Sequence, residues 1–427
     1  MNHLLALILC FGFLQSHCTT PYEPNEESVS EILKTLSSDE MRGRQALTAD
    51  VAKAEDFIAE KFNQAGLSTF PGLSDFKQSF SLTEVSIGNA SLALEGQEVG
   101  DSKFFALLNG ENITWNEASI ETSVISSGDN FRQKFREYSS SEQDYLVFVD
   151  PSFSDIFGRY QTFFSRPNRI IEGEENANTL FILAKPSTSF SIKIIPEIHQ
   201  KELANVVGVI EGKRKDEYVL FSAHHDHIGI RTPVEGDSVA NGANDNASGV
   251  TAVIELAKYF KSLGTPERTL LFVTFTAEEM GGYGSTYFSK QLNPDEIMAM
   301  FNIEMIGKPA VSGPNTAWIT GYERSNFGEL LSKSAEGTIY EFYPDPYPQQ
   351  NLFYRSDNAT LARLGVPAHT ISTTPIDVDK DYHEVSDHFE TINISHLTNT
   401  IKAIAKAGYG IVSGKDTPTR VDTELVD

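Results

Sequence analysis

From about residue 204 onward, the chain alternates short apolar runs of strand length with segments of helical periodicity. The apolar runs are Tyr218–Ala223, Leu270–Phe275, Met298–Ile303 and Ala368–Ile371. Between the first two runs, the apolar residues of Ala247–Leu263 recur on one helical face. This alternation predicts an α/β fold with a mostly parallel sheet flanked by helices. In such folds, functional groups gather at the carboxyl ends of the strands.

Five short motifs place metal-type ligands just after these strands or in the loops between them. The motifs are AHHDH (Ala223–His227), GANDNASG (Gly242–Gly249), FTAEEMGG (Phe275–Gly282), NIEMIG (Asn302–Gly307) and YHEVSD (Tyr382–Asp387). Their two imidazoles and three carboxylates are His224, His383, Asp245, Glu279 and Glu304. Zinc binds such nitrogen and oxygen atoms. The set therefore predicts two zinc ions per chain that share one ligand, a centre suited to hydrolysis.

Position within the motifs suggests separate roles. Asp245 is the best candidate for the shared ligand, because it lies in a Gly- and Asn-rich loop at the start of a helix. Asp226 follows His224 by two residues and is spaced to accept the second ring N–H of that histidine. Glu278, beside the ligand Glu279, is left free as a general base for a water that bridges the zinc ions.

Each motif alone has a commoner meaning, such as a surface His–x–Asp pair, a solvated Glu–Glu pair or a helix cap. Their joint occurrence at strand ends favours the metal centre. His225 and His227 receive no metal role, because alternation along a strand turns His225 away from His224.

The N-terminus predicts export. Leu4–Leu14 is continuously apolar but too short for a bilayer, which needs about 20 residues, so it is typical of a signal-peptide core; a buried helix is the alternative. Two outcomes stay open at Cys18: lipid attachment, or simple cleavage nearby. The protein is accordingly expected to be periplasmic, an outer-membrane lipoprotein or secreted.

Composition changes along the chain predict an inserted domain. Between about residues 76 and 200, short apolar runs are separated by polar turns, which indicates a β-rich insert within the metal-binding domain. The last residues are polar and expected to fray. The predicted segments are 1–18 (signal), 19–75 (N-terminal helical part), 76–200 (β-rich insert), 201–413 (metal-binding domain) and 414–427 (polar tail).

The formal net charge of −25 argues against nucleic acid and anionic lipid as partners. Membrane association is expected only through a lipid anchor at Cys18. The sequence predicts no particular oligomeric state.

The five motifs, in this order, resemble those of metallopeptidase family 28, the co-catalytic zinc aminopeptidases related to glutamate carboxypeptidase II and glutaminyl cyclase. The resemblance covers roughly residues 31–67 and 204–410. It implies peptide substrates and the metal roles given above, with Asp245 as bridge and Glu278 as general base. It also implies a cis peptide bond between Asp245 and Asn246. The insert occupies the place of a protease-associated domain in some relatives, where lid and structural roles are both open.

The resemblance implies further site residues. Glu304 stands where many members have Asp, and it still supplies a carboxylate. Tyr382 resembles a tyrosine that hydrogen-bonds the oxyanion, and Asp387 is a candidate support for His383. A weaker match to a Ser–Asp motif near the substrate pocket is formed by Ser356 and Asp357.

An exported aminopeptidase is the leading function. A carboxypeptidase or dipeptidase of the same fold is the first alternative, and Arg355 and Arg363 are its candidate carboxylate-binding residues. Glutaminyl cyclisation and a non-catalytic binding ectodomain are the others. The cyclase branch alters the DNASG and EEMGG contexts, and non-catalytic relatives lose ligands or the base, whereas this chain retains them all.

Overall fold

The computed structural model describes residues 20–426. The predicted signal segment, with Cys10 and Cys18, lies outside these residues. The helices of the described part are α1 (Glu26–Leu36), α2 (Val51–Gln64), α3 (Phe131–Ser139), α4 (Ser154–Phe164), α5 (Ser248–Ser262), α6 (Tyr283–Ser289), α7 (Phe327–Ala335), α8 (Asn358–Ala362) and α9 (Ile394–Val412).

The strands of the same part are β1 (Ser68–Thr69), β2 (Lys77–Leu94), β3 (Gln97–Glu98), β4 (Phe104–Leu107), β5 (Ile113–Asn116), β6 (Thr122–Ile125), β7 (Tyr145–Val149), β8 (Asn168–Ile171), β9 (Thr179–Leu183), β10 (Phe190–Ile210), β11 (Arg214–His224), β12 (Ile230–Val234), β13 (Asp237–Val239), β14 (Arg268–Phe275), β15 (Ile297–Ile303), β16 (Thr316–Ile319), β17 (Glu341–Pro344) and β18 (Ala368–Ser372).

A twelve-stranded sheet forms the centre of the molecule, with the main order β17-β16-β18-β15-β11-β14-β10-β2-β3. Its four middle strands, β18, β15, β11 and β14, are parallel neighbours. Antiparallel pairing begins on either side, where β16 meets β18 and β10 meets β14. The α/β prediction is confirmed, and the parallel part is the part that carries the predicted ligands.

Helices cover both faces of this sheet because its strands alternate their side chains between two cores. On β11, Val219 and Phe221 belong to the core beneath α1, α2, α5, α7 and α9. Leu220, between them, belongs to the opposite core beneath α6 and α8. Both faces of the sheet are therefore shielded from solvent, which explains the nearly continuous apolar runs in the sequence.

The insert is connected to the metal-binding domain by two long antiparallel strands, β2 and β10. Beyond them lies a four-stranded sheet of order β4-β9-β7-β6, covered on one face by α3 and α4. The boundary predicted at residue 200 falls inside β10, which continues unbroken into the central sheet. Helix α4 escaped the sequence analysis because its segment, SDIFGRYQTFF, combines a glycine with aromatic residues that favour strands.

The expected fraying of the C-terminal tail is wrong for residues 414–426. The buried Arg268 side chain donates hydrogen bonds to the Asp416 carbonyl and to Thr417 Oγ1. Val421 is buried, and its N–H donates to the Gly365 carbonyl at 3.1 Å. The polar composition of the tail hides this anchoring, because the partners lie far away in the sequence.

Within residues 20–426, no helix combines the length and apolar character needed to cross a bilayer.

Candidate metal centre

The parallel strands bring the predicted ligands to one edge of the sheet. His224 is the last residue of β11, Glu304 directly follows β15, and Glu278 and Glu279 follow β14 within four residues. Because β15, β11 and β14 are adjacent and parallel, their carboxyl ends meet at the same edge. The strand order therefore places these four side chains side by side.

The first cluster of metal-type ligands contains His224, Asp245 and Glu304. His224 Nε2 lies 3.0 Å from Glu304 Oε1 and 3.3 Å from Asp245 Oδ1. The Glu304 carboxylate thus reaches His224, as its predicted role as a ligand requires. The three side chains offer one imidazole nitrogen and two carboxylate oxygens, a donor set that zinc accepts.

The second cluster contains Asp245 again, with Glu279 and His383. His383 Nε2 lies 3.3 Å from Asp245 Oδ2 and 3.1 Å from Glu279 Oε2. Asp245 therefore presents one oxygen to each cluster, as a bridging carboxylate must. The peptide bond between Asp245 and Asn246 is cis, as the resemblance implies.

His227 also contacts the second cluster, and its imidazole forms with Asp245 and Glu279 a further group of side chains that could hold a metal ion. The sequence analysis missed this position. Its Nδ1 lies 2.8 Å from Glu279 Oε1 and 3.9 Å from Asp245 Oδ2. The alternation rule fails here because β11 ends at His224, so His227 lies outside the strand to which the rule applies. For His225 the reasoning holds: its ring is buried against Thr274, with Nδ1 3.1 Å from Thr274 Oγ1.

Asp226 supports the site in a different way from the one predicted. The group nearest to His224 Nδ1 is the backbone carbonyl of Asp226, at 3.1 Å, whereas the Asp226 carboxylate is 3.7 Å away. That carboxylate instead accepts hydrogen bonds from the N–H groups of Glu278 and Glu279, at 3.0 and 3.4 Å. Asp226 therefore fixes the loop that carries the predicted base.

Asp387 likewise supports a neighbour other than the one predicted. Its carboxylate accepts hydrogen bonds from the N–H groups of Asn244 and Asp245, all at 3.0 Å. The expected support of His383 is thus replaced by support of the bridging loop.

Of the predicted Ser–Asp pair, Ser356 lines the cavity, whereas Asp357 lies in the protein interior. Ser356 Oγ donates to Glu304 Oε2 at 2.8 Å and accepts from Asn302 Nδ2 at 2.8 Å, so Ser356 orients the Glu304 carboxylate. Asp357 is only 1 % exposed and does not line the cavity. Burial raises the pKa of Asp357 to about 7.

Three non-glycine residues beside or within the ligand set have left-handed backbone conformations. They are Ala277 (φ +57°), Met305 (φ +52°) and His383 (φ +60°). Side chains other than glycine adopt this region at a cost, and such residues concentrate at functional sites. The sharp turns direct Glu278 and His383 toward the centre instead of along the strand direction.

Glu278 has the surroundings of a general base. It lines the cavity, and its Oε2 lies 3.9 Å from His224 Nε2, outside hydrogen-bond range. Burial, aided by the negative charge of Glu304, raises the pKa of Glu278 well above its usual value. Its neighbour Glu279 is instead held by His227 and His383. The adjacent carboxylates thus have separate tasks.

An open cavity extends from the two clusters. Its lining comes from residues 224–383, and among the described residues none from the insert takes part. Besides ligands and base, it is lined by Met305, Trp318, Thr320, Leu352, Arg355, Ser356, Thr370, Ser372, Thr374, Ile376 and Tyr382. The Tyr382 ring stacks on the His383 ring with centroids 4.0 Å apart. The cavity therefore combines one ion-binding wall with apolar and hydroxyl-bearing walls.

The clusters concentrate negative charge in a buried place. Asp226, Asp245 and Asp387 are each at most 2 % exposed. Burial opposes ionisation of Asp245, but hydrogen bonds from His224 and His383 hold its pKa well below the usual value. Buried carboxylates at this density require cations nearby. The donor set therefore fits divalent metal ions on electrostatic as well as geometric grounds.

Arg44 is a second residue that the sequence analysis missed. Its guanidinium is buried and donates to the carbonyls of Leu36, His225, Asn241 and Gly242 at 2.6 to 3.0 Å. Burial lowers its pKa to about 10, so it stays charged at neutral pH. One side chain from the N-terminal segment thus joins the loops that carry the ligands.

We expect Arg44→Ala to lower the free energy of unfolding by about 3 kcal/mol or more, because it leaves several buried carbonyls without donors. Urea unfolding of the metal-free protein measures this. Arg42 is the matched control, since it is largely exposed and pairs with Asp50 at the surface. Its replacement by alanine should change stability by less than about 1 kcal/mol. Equal effects at the two positions would contradict the role given to Arg44.

Comparison with known proteins agrees with this geometry. A family model described as Peptidase family M28 matches residues 205–408. Leucine aminopeptidase 2 of Trichophyton rubrum is 25 % identical over 289 residues, covering 60 % of this chain and 54 % of the relative. Leucine aminopeptidase 1 of Arthroderma gypseum is 26 % identical over 235 residues, covering 52 % and 62 %. The chain thus spans little more than half the length of these relatives.

Two solved structures share the fold over nearly the whole chain. An aminopeptidase from Aneurinibacillus sp. strain AM-1 superposes with a TM-score of 0.53 at 18 % identity, covering 95 % of this chain and 96 % of that one. A zinc aminopeptidase from Bacillus subtilis gives 0.54 at 15 % identity, covering 95 % and 99 %. At such identities the likeness establishes the fold, and function has to be argued from the site.

Proposed function

Because this chain belongs to peptidase family M28, we propose that it is an aminopeptidase that uses two zinc ions to remove N-terminal residues from peptides. The observation that carries the proposal is Asp245, whose two oxygens face His224 and His383 separately at 3.3 Å. Relatives over the same region are leucine aminopeptidases. A non-catalytic binding ectodomain would not require this buried arrangement of two ligand clusters around one carboxylate.

In this proposal, His224, Asp245 and Glu304 hold one ion, and Asp245, Glu279 and His383 hold the other. When bound, such ions polarise the substrate carbonyl and lower the pKa of water. Ser356 Oγ donates a hydrogen bond to Glu304 Oε2 and so keeps this carboxylate in the first cluster.

Glu278 moves the proton. Its raised pKa makes the carboxylate a ready acceptor for a proton from the attacking water, and the resulting acid can protonate the leaving amine. The Asp226 carboxylate, bonded to the Glu278 N–H, keeps this side chain at the cavity wall. The same residue thus serves first as base and then as acid.

Tyr382 is proposed to donate a hydrogen bond to the oxyanion. It lines the cavity beside His383. Burial, with the negative charges of Asp245 and Glu279, raises its pKa above the ordinary value, so the hydroxyl keeps its proton at neutral pH. A neutral donor next to the ions stabilises charge that develops only in the transition state.

The apolar part of the cavity is proposed to receive the side chain of the first residue. Trp318, Leu352 and Ile376 line it, so burial of an aliphatic or aromatic side chain favours binding there. This preference agrees with the leucine aminopeptidase names of the relatives.

One observation supports a second candidate, a carboxypeptidase or dipeptidase. Arg355 lines the same cavity, where a guanidinium can bind a terminal carboxylate, whereas Arg363 does not line it. The only hydrogen bond of the Arg355 side chain within residues 20–426 is a long one to Gln350, at 3.3 Å.

A peptide set separates the two candidates. Each sequence carries a free or acetylated N-terminus and a free or amidated C-terminus, and products of the zinc-loaded protein are followed by mass spectrometry. We expect loss of N-terminal residues from every peptide with a free amine, whatever the C-terminus. Cleavage that requires a free C-terminus would instead establish the carboxypeptidase, and absence of any cleavage would overturn both.

We also propose export, on the basis of the sequence alone. The apolar run Leu4–Leu14 supports it, and a lipid at Cys18 or simple cleavage nearby are its two forms. Metabolic labelling with a fatty acid, compared between the native chain and Cys18→Ser, distinguishes them.

A further inference from the structure

We propose that His227 is a positioning residue of the metal centre, which donates a hydrogen bond from Nδ1 to Glu279 Oε1 and so turns Glu279 Oε2 toward the second ion. The Nδ1–Oε1 distance is 2.8 Å; the His227 side chain is fully buried and the Glu279 side chain is 8 % exposed. The inference rests on the proposed function in one respect: it takes Glu279 as a metal ligand.

The distances separate His227 from the ligands. Two atoms bound to one tetrahedral zinc at about 2.0–2.1 Å lie about 3.3 Å apart. His383 Nε2 meets this spacing with both Asp245 Oδ2 (3.3 Å) and Glu279 Oε2 (3.1 Å). His227 Nδ1 does not: it is closer to Glu279 Oε1, at 2.8 Å, and farther from Asp245 Oδ2, at 3.9 Å. A hydrogen bond fits these values better than metal coordination.

The two oxygens of Glu279 are therefore divided between two imidazoles. His227 takes Oε1 and His383 lies beside Oε2. A carboxylate held at one oxygen cannot rotate freely, so its other oxygen stays directed at the metal position. Such outer hydrogen bonds orient ligands and raise metal affinity.

The surroundings of His227 prevent its ring from turning away. Its backbone N–H donates to the Arg44 carbonyl at 3.2 Å, and Gln45 forms a parallel bridge with it. Its ring packs so closely on Gly242 that a Cβ there would lie 2.6 Å from ring atom Cδ2. The N-terminal segment and the bridging loop together aim Nδ1 at Glu279.

The test compares two substitutions at this position. His227→Leu removes the donor, whereas His227→Asn places an amide N–H near the former Nδ1. Zinc content and affinity are measured by competition with a chromogenic chelator, with no peptide substrate present. We expect the zinc affinity of one of the two sites to fall about 10- to 100-fold in His227→Leu. In His227→Asn, the affinity of that site should stay within a few-fold of the native value, and the affinity of the other site should change in neither variant.

His225→Asn is the matched control, because this buried neighbour bonds Thr274 on the other side of the chain. It should leave both zinc affinities unchanged, and thermal unfolding of the metal-free variants reports any loss of folding. Native affinity in His227→Leu would overturn the inference, as would an equal loss in His227→Asn, which would identify His227 as a direct ligand. Failure of the native protein to bind two zinc ions would instead overturn the proposed function on which the inference rests.

Discussion

Replacing Glu278 by glutamine is expected to lower kcat by at least about 100-fold while both zinc ions stay bound. Glutamine keeps the size of the side chain but cannot accept the proton that the carboxylate takes. Glu278 belongs to neither ligand cluster, so metal binding should be preserved. Steady-state kinetics with a peptide that has a free N-terminus, together with zinc analysis of the same sample, measure both quantities.

The change should appear in kcat and leave KM nearly constant, because Glu278 takes part in proton transfer in the transition state and not in binding of the substrate. Glu384→Gln is the control, because this exposed carboxylate lies next to His383 but has no role in the proposed proton transfer. Its activity should stay within a few-fold of the native value. A Glu278→Gln protein with two zinc ions and native turnover would refute the role of Glu278.

The sequence predicts the central fold because the decisive signals are local. A buried parallel strand is a run of apolar residues, and β11, β14, β15 and β18 each contain the run expected for them. Helix α5 is also predicted locally, because its apolar residues recur on one helical face. Once parallel neighbours are inferred, the position of a residue just after a strand is enough to bring it to the shared edge. His224 and Glu304 were found by this logic.

The contacts that hold the site together could not be predicted, because they join residues far apart in sequence. Arg44 reaches the His225 carbonyl across 181 positions. Asp387 meets Asn244 across 143. Nothing near either residue signals its partner. The position of His227 could have been predicted, because it stands three residues after His224. Applying the alternation of a strand to it is wrong, because the strand ends at His224.

Loop conformation sets the same limit at the catalytic residues. The left-handed backbone at Ala277 and His383 decides where Glu278 and the His383 ring point. No glycine marks these two positions, so the sequence gives no sign of the turn. The identity of the ligands could therefore be predicted from residue type and spacing, whereas the assignment of Asp226 and Asp387 to their partners could not.

Asp245→Asn should have the broadest effect of the single substitutions considered, because Asp245 is the one residue common to both ligand clusters. The amide removes the negative charge and offers one carbonyl oxygen in place of two carboxylate oxygens. Only one cluster can then keep an oxygen ligand at this position. We expect fewer than two zinc ions per chain, and a loss of activity greater than the roughly 100-fold expected for Glu278→Gln.

The matched control is Asp357→Asn, which changes a carboxylate that is equally buried but lies outside both clusters. Because burial raises the pKa of Asp357 to about 7, that group is already partly neutral near pH 7, and an amide should be tolerated. The Asp357→Asn protein should keep two zinc ions. The two variants thus separate the loss of a bridge from the loss of buried charge. Two tightly bound zinc ions in Asp245→Asn would show that the clusters are held independently and that Asp245 is not the bridge.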